Sequence, residues 1–211
     1  MRFVTETLDR NGNTSVTDQR STFFEHPDKR HFRFSTDQYR NQRLAESTKG
    51  QAVRGATPGR LKIDIKSPKT KAITVTRPVL FPVEHSIKLL AAARAGDRLF
   101  TVDLYDGSEK GEKVYATTAA LGEKQAPGVN AGLVKAANTK SLDGLAAWPV
   151  ALSYFDTHDK DQRRDAVPNY ELSFLFFENG VSRKLFIDYG TFSMRGELVK
   201  LTMLPEQPCT K

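Results

Sequence analysis

Four histidines, one cysteine and one short acidic loop are the side chains of this 211-residue sequence with the most chemistry in them. His26, His31, His85 and His158 are scattered, and no paired-ligand helix motif links them. His26 and His158 fall in turn-like stretches, where a solvated imidazole is the expected state. His85 lies on the polar side of the one helical stretch, where a structural hydrogen bond is expected ahead of proton transfer. Asp156-Thr157-His158-Asp159-Lys160-Asp161 is acidic enough to suggest a cation. It lacks the turn glycine and distal glutamate of a calcium loop, and Lys160, Arg163 and Arg164 neutralise it. Ser153 and Ser193 have no base at a suggestive spacing, and no Gly-rich phosphate loop or nucleophile elbow is present. Cys209 is the single cysteine, so it forms no disulfide within this chain. These residues predict no catalytic centre, no metal and no cofactor.

Charge is unevenly placed. The net charge is +7, and residues 1–80 hold 16 Lys and Arg against 8 Asp and Glu, while residues 81–211 hold 16 against 17. A nucleic-acid interface is the sharp reading of such a bias. The basic residues alternate singly, as Arg30, Arg33, Arg40 and Arg43, without a dense cluster or an RNA-binding aromatic signature. Solvated strand faces are therefore expected. Hydrophobic residues make up 38% of the chain and no apolar run nears the ~20 residues that span a bilayer. Met1-Arg2-Phe3-Val4-Thr5 reads as strand at once, with no leader.

Short strands broken by turns must position whatever the chain does. Asn11-Gly12 predicts a hairpin, and His26-Pro27-Asp28-Lys29 and Thr57-Pro58-Gly59-Arg60 predict further turns. Phe32 and Phe34 alternate with polar neighbours, as do Leu61, Ile63 and Ile65. Strands are also expected over 99–105, 114–121 and 148–155, with Pro149 at an edge or a strand start. Residues 122–144 read as a surface excursion with a short helix over Leu133–Ala137.

The single strong helix runs from Pro82 to Gly96, with a first-turn proline and a left-handed stop. Its apolar arc of roughly 200° predicts a helix wrapped by sheet, with Ile87, Leu89, Leu90 and Ala91 as core. In the C-terminal hairpin, a two-residue Asn179-Gly180 turn sets Tyr170 opposite Tyr189, Leu172 opposite Ile187 and Phe174 opposite Leu185. The expected class is mostly β, an antiparallel meander with one main helix.

Several stretches together carry a resemblance. They are Arg2-Phe3-Val4-Thr5, Leu104-Tyr105-Asp106-Gly107-Ser108, Trp148-Pro149-Val150 with Ser153-Tyr154-Phe155, Phe177-Glu178-Asn179-Gly180-Val181-Ser182-Arg183 and the run Asp188 to Gly196. In these the chain resembles the alphaproteobacterial cell-envelope integrity protein B (EipB) family over essentially its whole length. The resemblance implies one domain over residues 1–211, a sheet coiled into a spiral or open barrel around the central helix. It implies a periplasmic protein, exported by a signal peptide, and a disulfide joining Cys209 to a cysteine upstream of Met1. The leader and the first strand or strands are then expected to precede this sequence.

Two functions follow as expectations. One is a non-enzymatic protein that supports envelope integrity by binding an envelope partner, such as a periplasmic helical-repeat protein. Its basic first half would contact anionic lipid or lipopolysaccharide. The alternative is a lipid or lipoprotein carrier that uses a concave apolar face. Neither needs nucleic acid or a transmembrane segment.

Overall fold

A computed structural model describes residues 2–8, 14–57, 59–107, 111–127, 144–156, 166–188 and 193–196. Among these residues the chain forms twelve strands and one helix. β1 (Arg2–Leu8), β2 (Thr14–Glu25), β3 (His31–Arg40), β4 (Arg43–Arg54), β5 (Leu61–Ser67) and β6 (Lys71–Val75) pair in sequence order as an antiparallel meander. α1 (Pro82–Ala95) follows. β7 (Leu99–Leu104), β8 (Tyr115–Leu121), β9 (Ala147–Phe155), β10 (Tyr170–Phe177), β11 (Ser182–Asp188) and β12 (Ser193–Gly196) form a second six-stranded sheet, again in sequence order. The mostly-β, antiparallel, one-helix class predicted from the sequence is the class observed.

Two compact units divide the chain, the first comprising 1–86 and 102–116, the second 87–101 and 117–211. In the first, the alternation of β3 and β5 does what period-2 patterning requires: Phe32, Phe34, Leu61, Ile63 and Ile65 all face inward and are buried. Phe32 stacks on Phe81 with ring centroids 5.0 Å apart, and Tyr105 meets Phe32 and Phe34 edge-on at 5.9 and 5.8 Å. The Tyr105 hydroxyl donates to the Gly111 carbonyl at 2.9 Å, and burial pushes the phenol's pKa upward, with Asp106 adding to the shift. β3 and β4 are joined by Asn41-Gln42, both at positive φ (48° and 67°). Asn41 ties that turn to β2 by accepting the Val16 N–H at 3.0 Å through its side chain.

The second unit corrects three expectations. The C-terminal hairpin has a three-residue loop, Glu178-Asn179-Gly180, because Phe177 N–H bonds Val181 O at 2.9 Å and Gly180 takes φ +82°. An Asn-Gly pair serves that bulged loop as well as a two-residue turn, so the dipeptide alone does not choose between them. Leu172 does pair with Ile187. The register then shifts between Ser173 and Leu175, which places Phe174 at the irregularity and removes its one-to-one pairing with Leu185. On its other side Tyr170 stacks on Tyr154 of β9, centroids 4.3 Å apart; its expected partner Tyr189 lies outside the described residues. Tyr170, Leu172 and Phe174 are only half-buried, whereas Phe176 and Phe177 at the loop end are buried with Ile187.

Pro149 is third in β9, a strand with neighbours on both sides. It is tolerated because its β8-side partner is Gly122, just past the end of β8, whose N–H donates to Pro149 O at 2.8 Å. The missing proline donor falls where that ladder has already ended. The proposed short helix over Leu133–Ala137, Cys209, and the Thr157 to Asp161 part of the acidic loop lie outside the described residues.

The helix begins and stops where predicted, but its buried face is rotated. Gly96 N–H bonds Ala93 O, Asp97 N–H bonds Ala92 O, and Gly96 takes φ +84°, the paired bonds of a Schellman stop. Leu89, Ala92 and Ala93 are buried together with Glu84 and His85. Ile87 is 55% exposed, Ala91 is exposed and Leu90 is half-buried, so of the four expected core residues only Leu89 is fully inside. The reason is that the first-turn polar residues are the ones taken in, and taking them in turns the Val83-Ile87-Ala91 stripe outward.

Candidate functional site

Polar side chains of the first unit converge at two places around the end of β2. The first is the start of α1. Pro82 leaves its own amide out of the count, and Val83 and Glu84 N–H groups donate to the two oxygens of Glu25 at 2.9 and 3.2 Å. A carboxylate from a strand thus caps the helix and sits at its positive pole. Glu84 in turn meets Arg54 of β4, Nη2 to Oε2 at 2.6 Å, with both side chains largely withdrawn from solvent. The same guanidinium donates to Val79 O at 2.8 Å and to Lys29 O, and lies 4.2 Å over the Phe81 ring. Desolvation raises the Glu25 pKa, partly offset by its two backbone hydrogen bonds. This is a framework of charges, each fixed by the fold on several sides.

His85 is next on the helix and is buried, which holds its pKa down to about 4 by desolvation. The imidazole is therefore neutral at neutral pH. The sign of the consequence follows from linkage. The unfolded chain takes up the proton near pH 6.5 and the folded chain only near 4, so stability present above 6.5 drains away as pH falls. The loss should reach about 3 kcal/mol by pH 4. Urea unfolding at pH 7.5, 5.5 and 4 checks it, and His85→Gln should flatten the profile by that amount; Glu25, with its raised pKa, acts in the opposite sense in both proteins.

The second place is the β2–β3 turn. Lys29 N–H bonds His26 O at 2.8 Å, His26 N–H bonds His31 O at 2.9 Å, and Lys29 takes φ +58°. This brings three side chains to one point: His26 Nδ1 is 3.1 Å from Asp28 Oδ1, and His31 Nδ1 is 3.0 Å from Asp28 Oδ2. Arg30 N–H donates to Asp28 Oδ1 at 2.7 Å, and that bond, with further ones from His31 and His26, lowers the Asp28 pKa to about 2. Phe24 sets its ring edge against His26, centroids 6.3 Å apart, and the two imidazoles meet edge-on at 5.9 Å.

Neither arrangement was read from the sequence. Arg54 and Glu25 carry no local signal, since their partners are 30 and 58 residues away. The turn at 26–29 was legible, but the convergence of its two histidines on Asp28 was not. Ser153 donates to Glu171 at 2.8 Å, which ties β9 to β10.

The comparisons with known proteins agree with one another. The profile of the EipB-like family matches residues 1–205. The chain is 36% identical over 200 residues to the cell envelope integrity protein EipB of Brucella abortus (strain 2308), covering 95% of this chain and 68% of that protein. It superimposes with a TM-score of 0.83 on the crystal structure of a beta-barrel-like protein of a domain of unknown function, also from Brucella abortus. That match has 32% identity and covers 97% of this chain and 80% of the other. No helix among the described residues is long and apolar enough to cross a membrane. An antiparallel β chain with one capped helix, matched by this profile over nearly its full length, belongs to the EipB-like family, whose Brucella relative is named for the integrity of the cell envelope.

Proposed function

We propose that this chain is a periplasmic, non-catalytic protein that maintains the cell envelope by binding another envelope protein. The observation that carries the reading is the 36% identity to the envelope integrity protein EipB over 95% of the chain. The charge distribution supports a binding role: the surplus of eight positive charges falls in residues 1–80, and Arg33, Arg40 and Arg43 are exposed on β3 and β4. Such exposed charges suit an acidic surface on a partner, a helical-repeat protein being one form, or the phosphates of anionic lipid. The Glu25, Arg54 and Glu84 contacts serve this reading as framework, since they hold the start of α1 to β2 and β4.

Genetic complementation tests it. A strand-for-strand intact protein supplied with an export leader should restore survival of a deletion strain on bile salt or a cell-wall antibiotic. The same protein without a leader should not. Equal rescue by both forms would overturn the periplasmic reading, and no rescue by either would overturn the envelope role.

A further inference from the structure

We propose that the tip of the β2–β3 hairpin is a binding site for a divalent transition-metal ion of the zinc type, held by His26, Asp28 and His31. The three offer one donor atom each, and all three atoms lie within 4.8 Å of one another. Bonds of 2.0–2.2 Å to a tetrahedral ion put donor atoms about 3.3 Å apart. His26 Nδ1 stands 3.1 Å from Asp28 Oδ1 and His31 Nδ1 3.0 Å from Oδ2, so each imidazole already has that spacing to one of the two carboxylate oxygens. A single ion needs the two imidazoles to draw together toward one carboxylate oxygen, and both rings are exposed at the surface.

The polarity of the hydrogen bonds points the same way. Asp28 N–H donates to His26 Nδ1 at 3.3 Å, so that nitrogen presents a lone pair. The same nitrogen stands 3.1 Å from Asp28 Oδ1, an atom that also carries only lone pairs. The proton that links these two atoms in the charged imidazole and a metal cation compete for that one position. With Nδ1 as the ligand atom on both rings, each Nε2 keeps its proton. Arg30 N–H fixes the carboxylate from behind at 2.7 Å, the supporting role that outer hydrogen bonds play at metal centres. The closed turn, with His26 N–H on His31 O, holds the two histidine backbones together before any ion arrives.

Donor type selects the ion. Two imidazoles and one carboxylate suit zinc, copper or nickel, whereas calcium and magnesium require more oxygen donors than this turn provides. Water fills the fourth position. Lys29 and Arg30 are exposed in the same turn and oppose a cation, which sets the affinity below that of a four-ligand structural site. A dissociation constant on the order of 10 μM is expected for zinc. The bound ion would cross-link the two ends of the turn and stiffen the tip.

The test is titration of the untagged Cys209→Ser chain with zinc chloride by calorimetry, followed by imidazole NMR signals. One zinc per chain is expected, with His26→Ala and His31→Ala each weakening binding at least tenfold and Asp28→Asn weakening it severalfold. His26→Gln replaces His26→Ala if the latter alters the metal-free melting temperature. His158 is present throughout as an internal control. No saturable binding below about 1 mM, undiminished affinity in the double His26→Ala/His31→Ala chain, or calcium binding as tight as zinc would each overturn the site.

Discussion

Replacing Arg54 by methionine should destabilise the protein by about 3–5 kcal/mol, because it strips the counter-charge from a buried glutamate. Methionine keeps much of the stem's volume, so packing loss is small and the electrostatic loss dominates. The guanidinium makes a 2.6 Å ion pair with Glu84, donates to Val79 and Lys29 carbonyls and covers Phe81. None of these four contacts survives in the variant. Arg54→Lys should recover less than half of the loss, since an ammonium supplies charge but no planar fork to reach two directions and stack at once. Pairing Arg54→Met with Glu84→Gln should cost less than the two single changes added together. Urea denaturation at pH 7.5 measures all four proteins. A loss under 1 kcal/mol for Arg54→Met would mean that Glu84 is solvated in solution and that the framework reading is wrong.

Gly107→Ala should cost about 4 kcal/mol, from two sources that add. Gly107 takes φ +73°, where an L side chain is strained by about 1–2 kcal/mol. A methyl there would land on Phe34 Cγ and within 2.7 Å of Cδ2, at the root of a buried ring that has no flexible end to move aside. Gly50 and Gly111 press on the far end of the same ring, so Phe34 is closed in by glycines on several sides. Gly96→Ala is the comparison: φ is +84° there, but nothing lies within 4 Å, and only about 1 kcal/mol of backbone strain is expected. Phe34→Leu should rescue part of the Gly107→Ala loss and none of the Gly96→Ala loss. Equal melting temperatures for the two alanine variants would rule out the close approach.

What the sequence made legible was whatever depended on neighbours along the chain. Alternation at Phe32-Phe34 and Leu61-Ile63-Ile65 found the core strands, since period-2 burial is a local property. Pro82 and Gly96 found the helix ends for the same reason. The helix phase was misread because apolar periodicity assumes that charged residues face water. Glu84 does not, and the residue that permits its burial sits in β4. The hairpin loop length was misread because one extra residue leaves the Asn-Gly signature unchanged. The histidines at 26 and 31 looked scattered because their meeting requires a closed turn, which composition does not display.

The Glu25 cap has a kinetic meaning. Neighbouring strands of the first meander find one another across short connections, whereas the cap joins residues 58 and 59 positions apart. Closing so long a loop costs more chain entropy, and such contacts are made late. The meander is thus expected to assemble first and to present Glu25 and Arg54 as a finished socket into which the helix start then locks. Weakening the socket should accelerate unfolding and leave the folding rate nearly unchanged, so the helix end serves as the latch that sets how long the native state persists.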